Sequence, residues 1–144
     1  MSLLKIASVP AATVSPQSAV TEAVQGMNDK RVGAVAVVEN DELVGIFTER
    51  DVMIRVVLAG KDPKTTTMSE VMTREVETAQ VDMHYGDCLR VMVERHFRHL
   101  PIIDSDNHVL GVLSVRDMLQ HAADDLTTQL DSMVKYFGAD GPGG

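Results

Sequence analysis

With 144 residues, 44% of them apolar and 24% charged, the chain has room for one compact domain or two small units sharing a core, and it is too apolar for a disordered segment. Its formal charge of −8 excludes the usual routes to nucleic acid and to anionic membranes, which rest on clustered Lys and Arg, and no such cluster occurs. Trp is absent and aromatics make up 3%, so the core has to come from Val, Ile, Leu, Ala and nine Met.

In chain order, the first apolar pattern is helical: Val20, Ala23, Val24 and Met27 recur at spacings of three and four. A short strand AVAVV follows, then the polar turn ENDE, then the strand LVGIF, and the pair reads as a hairpin. A helix starts at Thr48 and stops near Gly60, a residue suited to a C-terminal cap. The connecting stretch KDPKTTTMSEVMTREVETA holds at most one helical turn, at SEVM. The same order then returns: a helix on Tyr85, Cys88, Leu89 and Met92, a strand LPIID, a turn SDNH, a strand VLGVL and a helix from Ser114. This last helix is longer. Its stripe of Leu119, Ala122, Ala123, Leu126, Leu130, Met133, Val134 and Phe137 either covers the core or packs on another subunit. The tail GADGPGG is expected to be flexible.

The recurrence is an internal repeat. A shift of 66 carries GIFTERD (45–51) onto GVLSVRD (111–117), and AVAV (34–37) onto LPII (100–103). Further upstream the shift is 65, pairing Ala23 with Cys88 and Met27 with Met92, which implies a one-residue difference in the loop after the first helix. A unit this long, present twice, means two supersecondary modules that bury together what neither buries alone.

The repeated strand-to-helix corner admits two roles. Thr48 is placed to cap the helix, and Asp51, three residues on, stands at capping-box spacing with Asp in place of Glu; Ser114 and Asp117 repeat this. Negative charge there also suits the helix dipole. Yet helix N-termini are natural anion sites. Arg50 and Arg116 precede the two Asp residues, and a cap needs no Arg. Gly45 and Gly111, three residues before the hydroxyls, permit close approach of another group. Together these groups suit a phosphorylated sugar: carboxylate to ribose hydroxyls, hydroxyl and guanidinium to phosphate. Cap and ligand roles both stay open on spacing alone.

The doubled G-h-h-T/S-x-x-D corner behind an aliphatic hairpin resembles the cystathionine-β-synthase-type (CBS) domain, which occurs in tandem pairs. FRHLPIID…GVLSVRD matches the family pattern, RVGAVAVVENDELVGIFTERD is similar without the proline, and SEVMT looks like the family's lead-in to the second repeat. The resemblance covers about residues 6 to 124. It implies an α/β chain of the α+β type, two CBS repeats of β-α-β-β-α order packed about a pseudo-twofold axis. Repeat 1 is placed at 6–62, a linker at 63–75, repeat 2 at 76–124, and a C-terminal helix extension with its tail at 125–144. It implies a stand-alone regulatory module, not an enzyme, that binds AMP, ADP, ATP, NAD(H) or S-adenosylmethionine as an energy or redox sensor. By the same resemblance Asp51 and Asp117 hold ribose hydroxyls, and Thr48 and Ser114 contact ribose or phosphate. Arg98, His99, Leu100 and Pro101 line the adenine, with Val115 in the same corner. Thr13 or Val14, and Thr78 or Ala79, close the pockets. Arg116 and Arg98 are the phosphate partners of the second site and Arg50 of the first, which departs from the pattern at Gly33–Val35, where GAV stands for HLP. A homodimer and an unidentified protein target are further implications. The rival is a ligand-free dimerising adaptor whose C-terminal helix meets a partner protein.

Other chemistry finds little support. His96 and His99 lack further ligands at metal-site spacing. Cys88, the one cysteine, excludes an internal disulfide and falls on an apolar helix face, as a core thiol would. No Walker-type loop and no Ser-His-Asp arrangement occur, so no catalytic residue and no catalytic cofactor are named. CBS pairs also occur inserted in IMP dehydrogenase, but its barrel needs on the order of 250 residues. The N-terminus MSLLKIASVPAATVS lacks the basic and apolar regions of a signal peptide, and no run approaches the roughly 18 apolar residues of a membrane span, so the chain is expected to be cytoplasmic.

Overall fold

The structure, a computed structural model, describes residues 2–140, with side chains through Phe137. A 3₁₀ turn at Leu3–Lys5 precedes β1 (Thr13–Val14), α1 (Val20–Lys30), β2 (Ala34–Glu39), β3 (Glu42–Thr48) and α2 (Glu49–Asp51), which continues as a π-helical turn over Val52–Val57. The short α3 (Met68–Val71) leads into β4 (Ala79–Gln80), α4 (Tyr85–Arg95), β5 (His99–Ile103), β6 (Val109–Ser114) and α5 (Val115–Asp140). The strands form two three-stranded sheets, β1-β2-β3 and β4-β5-β6, each with one parallel and one antiparallel pair. The two repeats of β-α-β-β-α order are thus present. None of the described helices is long and apolar enough to cross a membrane. The tail expected to be flexible is helical through Asp140, and 141–144 lie outside the described residues.

Alternation along the strands explains why the sheets read as unbroken apolar runs. On β2, Val35 and Val37 point into a core with Val20, Met27 and Phe47, while Ala34 and Ala36 point the other way. That second face meets Ile46 and Val112 in a separate cluster that joins the sheets. Strands buried on both faces carry no polar alternation. The second repeat builds its own core on Cys88, Met92, Leu100, Ile102 and Leu113. Cys88 is fully buried there, and burial, then the neighbouring Asp87 charge, pushes its thiol pKa up.

The lead-in segments cross between repeats. Leu3 is buried in the second repeat's core, and Ser8 exchanges backbone hydrogen bonds with Val112 of β6 at 3.1 and 3.2 Å. Reciprocally, Met68 is buried in the first repeat's core, and Thr73 exchanges bonds with Ile46 of β3 at 3.0 and 2.9 Å. Gly45 and Gly111 serve this brace. A Cβ at Gly45 would lie 2.7 Å from Met72 Sδ and 3.0 Å from the Thr73 carbonyl; one at Gly111 would lie 3.0 Å from the Ser8 carbonyl. The close neighbour expected at these glycines is the chain's own backbone, not a ligand.

Strand pairing also corrects the repeat alignment. Val35 lies opposite Phe47 and Leu100 opposite Leu113, so the shift remains 65 through β2 and becomes 66 only in β3. The extra residue sits in the second hairpin turn, not in the loop after α1. There Asn107 bonds the Leu43 amide and carbonyl of the first repeat, both at 3.1 Å. The counterparts of Arg98 and His99 are therefore Gly33 and Ala34. The stretch standing for HLP is Ala34–Ala36.

Candidate functional site

Both corners fold as helix caps. In the first, Thr48 Oγ1 accepts from the Asp51 amide at 3.3 Å, and Asp51 Oδ2 accepts from the Thr48 amide at 3.0 Å. In the second, Ser114 Oγ accepts from the Asp117 amide at 2.9 Å, and Asp117 Oδ2 accepts from the Ser114 amide at 3.1 Å. The capping-box spacing is realised twice.

Each box leaves one carboxylate oxygen over, and the corners use it differently. Asp51 Oδ1 faces Arg55 Nε at 3.6 Å, and the same guanidinium donates to the Val71 and Met72 carbonyls at 3.1 and 3.2 Å. The first carboxylate is thereby tied to the linker. In the second repeat His121 stands where Arg55 does, and it lies edge-on to Tyr85 at 5.0 Å. Among the described residues no cation pairs with Asp117.

A cleft of about 1610 Å³ opens between the repeats. Arg50, Arg98, His99, Ser114, Val115, Arg116 and Asp117 line it. The remaining residues singled out from sequence lie elsewhere. Thr48 and Asp51 are not on its wall, Leu100 is in the second core, Pro101 is buried opposite Val112, and Thr78 is half-buried just before β4. Leu100 turns inward because it follows His99 on a strand, where successive side chains take opposite faces. Among the cleft residues not legible from motif spacing alone are Arg31, Glu49 and Phe97. Repeat symmetry held the signal for two of them. Glu49 is the counterpart of Val115, and Arg31 matches His96, each ending its helix with positive φ, 55° and 61°.

Four arginines (Arg31, Arg50, Arg98, Arg116) face two carboxylates (Glu49, Asp117) across this space, so the cleft of an acidic chain is locally cationic. His99 is among its lining residues. Burial pushes its pKa below the ordinary 6.5, against the opposing pull of Glu49 and Asp117 and with help from Arg98. Its ring is neutral at pH 7, offering one donor and one acceptor. Gly33 makes room for it: a Cβ there would lie 3.2 Å from His99 Nε2 and 2.7 Å from Glu49 Oε1.

His96 also reaches the cleft wall. One His-carboxylate group stands elsewhere among the described residues, Asp104, Asp106 and His108 on the second hairpin turn. There Asp104 Oδ1 accepts the Asp106 and His108 amides at 2.8 and 2.9 Å and so organises the turn.

Comparison with known proteins agrees with this architecture. The CBS domain family model matches residues 5–57 and 68–124. The uncharacterized protein MK0525 of Methanopyrus kandleri is 34% identical over 125 residues, 86% of this chain; the match spans 64% of that protein's length. The CBS domain-containing protein YhcV of Bacillus subtilis is 37% identical over 123 residues, 83% of this chain and 87% of its own. The solved CBS domain pair of protein MJ0100, in complex with 5'-methylthioadenosine and S-adenosyl-L-methionine, superposes with a TM-score of 0.76 over 87% of this chain and 98% of its own, at 24% identity, a likeness of fold. With one family match on each repeat, the chain belongs to the CBS-domain family as a tandem pair.

Proposed function

We propose that the chain is a regulatory module that binds an adenosyl ligand in the inter-repeat cleft and carries out no chemistry on it. The observation that supports this is the second corner. Asp117 keeps a carboxylate oxygen that is unpaired among the described residues, beside the Ser114 hydroxyl and in a cleft with four arginines. That set suits a ribose and its phosphates: carboxylate to the hydroxyls, guanidinium to phosphate. Arg98 and Arg116 take the phosphates, and His99 contacts the base. AMP, ATP or NAD(H) is the proposed ligand class, and energy or redox state is the signal. The first corner, with Asp51 held by Arg55, is the weaker or vacant site.

Both repeats line the cleft, so a ligand there favours whichever relative arrangement of the repeats closes best around it. It shifts the population only by its differential affinity for the two arrangements. The module works in the cytoplasm as a homodimer and passes this shift to a protein target.

The experiment is mass spectrometry of small molecules released from purified protein, followed by calorimetric titration with AMP, ATP, NADH and S-adenosylmethionine. A stoichiometric adenosyl compound, or saturable heat from one of the four, is the expected result. No release and no heat would leave the corners as caps and favour the adaptor.

A further inference from the structure

Helix α5 outruns its repeat. Its counterpart in repeat 1 stops at Val57, equivalent to Ala123, whereas α5 continues to Asp140 and spans about 39 Å at 1.5 Å per residue. Along it Leu119, Ala123, Leu126, Leu130, Met133 and Phe137 recur at spacings of 4, 3, 4, 3 and 4. That is a heptad seam, the period that fits a second helix. All six are exposed, the five large ones by 54% to 62%, so no described part of the chain covers the seam.

Three features identify the occupant as a second copy of this chain. The first is size. With two seams antiparallel, Leu126 meets Leu130, Leu119 meets Phe137, and small Ala123 meets long Met133. All six positions pair in one register. A parallel pair would set Ala123 on Ala123 and Phe137 on Phe137, leaving a gap at one layer and crowding at another.

The second is charge. The positions flanking the seam, Gln120, Ala122, Thr127, Gln129, Val134 and Tyr136, carry none, although the chain carries −8. Asp124, Asp125 and Asp131 fall on the other side of the helix. Two acidic copies therefore meet without like-charge contact, and a basic partner helix would find no acid beside the seam. Antiparallel helix dipoles also attract.

The third is width. The far end of α5 is apolar beyond the seam, with Val134 69% and Tyr136 66% exposed. The near end has a matching partner: Leu119 shares the cleft rim with Val93 of α4, itself 65% exposed. Antiparallel pairing brings each broad end onto the other.

We propose that two copies associate through α5, antiparallel, with Leu126 of each against Leu130 of the other. This rests on the homodimer reading and names its surface. Because Leu119, Gln120 and Ala123 also line the cleft, the end of the second copy's helix covers part of its mouth.

The test is sedimentation of the full chain, with Leu126→Asp/Leu130→Asp and with separate Ala123→Cys and Met133→Cys chains under oxidation. Both Leu positions are exposed in the single chain, so the Asp variant keeps the wild-type circular-dichroism spectrum, while its melt loses the stabilisation that association adds and no longer depends on protein concentration. The expected results are a wild-type dimer and at least about 100-fold weaker association of the Asp variant. A reducible cross-link should form only when the two cysteine chains are mixed. Cys88 is buried and does not compete. Cross-linking within the Ala123→Cys chain alone, or none in the mixture, overturns the register. A dimer that survives Leu126→Asp/Leu130→Asp overturns the surface but leaves the homodimer standing. A monomeric wild type overturns both.

Discussion

The two strand-to-helix corners share one cap geometry and differ in everything that surrounds it. In the first, Arg55 occupies the spare oxygen of Asp51, and Gly33 and Ala34 line the cleft beside it. In the second, the spare oxygen of Asp117 has no cation partner among the described residues, and Arg98 and His99 line the cleft beside it. One repeat spends its carboxylate on holding the linker, the other leaves one oxygen without a cation partner among the described residues. The helix-capping chemistry is the same in both repeats, while the residues around it differ.

The sharpest way to break this contrast is a pair of substitutions read by nucleotide titration. Asp117→Asn should weaken adenosyl binding by about 100-fold, the loss of charge-assisted hydrogen bonds totalling roughly 2–3 kcal/mol. Asp51→Asn should change it by less than about threefold, on the order of 0.6 kcal/mol. Equal effects would mean that the corners are equivalent sites.

The brace comes next. Gly45→Ala and Gly111→Ala each push a methyl against the crossing segment's backbone, at the 3.0 Å approaches to Thr73 and Ser8. Each should cost about 1–3 kcal/mol in urea unfolding. An unchanged midpoint would show that the lead-in segments yield freely.

For stability the corners should reverse their order. Asp51→Ala removes a cap and strips Arg55 of its carboxylate partner, so about 1–2 kcal/mol is expected, near the upper end for a cap. Asp117→Ala loses the cap alone, about 0.5–1 kcal/mol. A larger loss at Asp117 would sink the assignment of a structural first corner and a functional second one.

The smallest effect belongs to His99. Its folded pKa is lowered, so the folded state takes up its proton later than the unfolded chain does. Its contribution to stability is present above 6.5 and is lost as pH falls from 6.5 through the lowered folded value. Proton NMR should place its titration below 6.5, and a bound phosphate should move it upward. A midpoint at or above 6.5 in the free protein would contradict the burial account.

Much of this was legible before the fold. The helix and strand periodicities, the doubled cap and the core role of Cys88 depend on residues close in sequence, and local spacing reports them. What surrounds the corners was not. Arg55 reaches Asp51 one helical turn away, but its second engagement is with Val71 and Met72, which only the folded linker brings near. The glycines signalled a close approach without saying to what. Even the position of the one-residue difference between repeats is ambiguous in the sequence, because apolar strands align almost equally well one residue apart and only hydrogen-bond register distinguishes the two.

Two repeats, their order of elements and the chemistry of each helix cap are all readable along the chain, since they follow from side-chain periodicity and short-range hydrogen bonds. Tertiary structure decided that each lead-in braces the opposite repeat and that Glu49 and His99 meet over Gly33. It also decided which aspartate oxygen meets a cation among the described residues. These depend on contacts between residues far apart in the chain, and their geometry exists only once the two sheets have closed on one another.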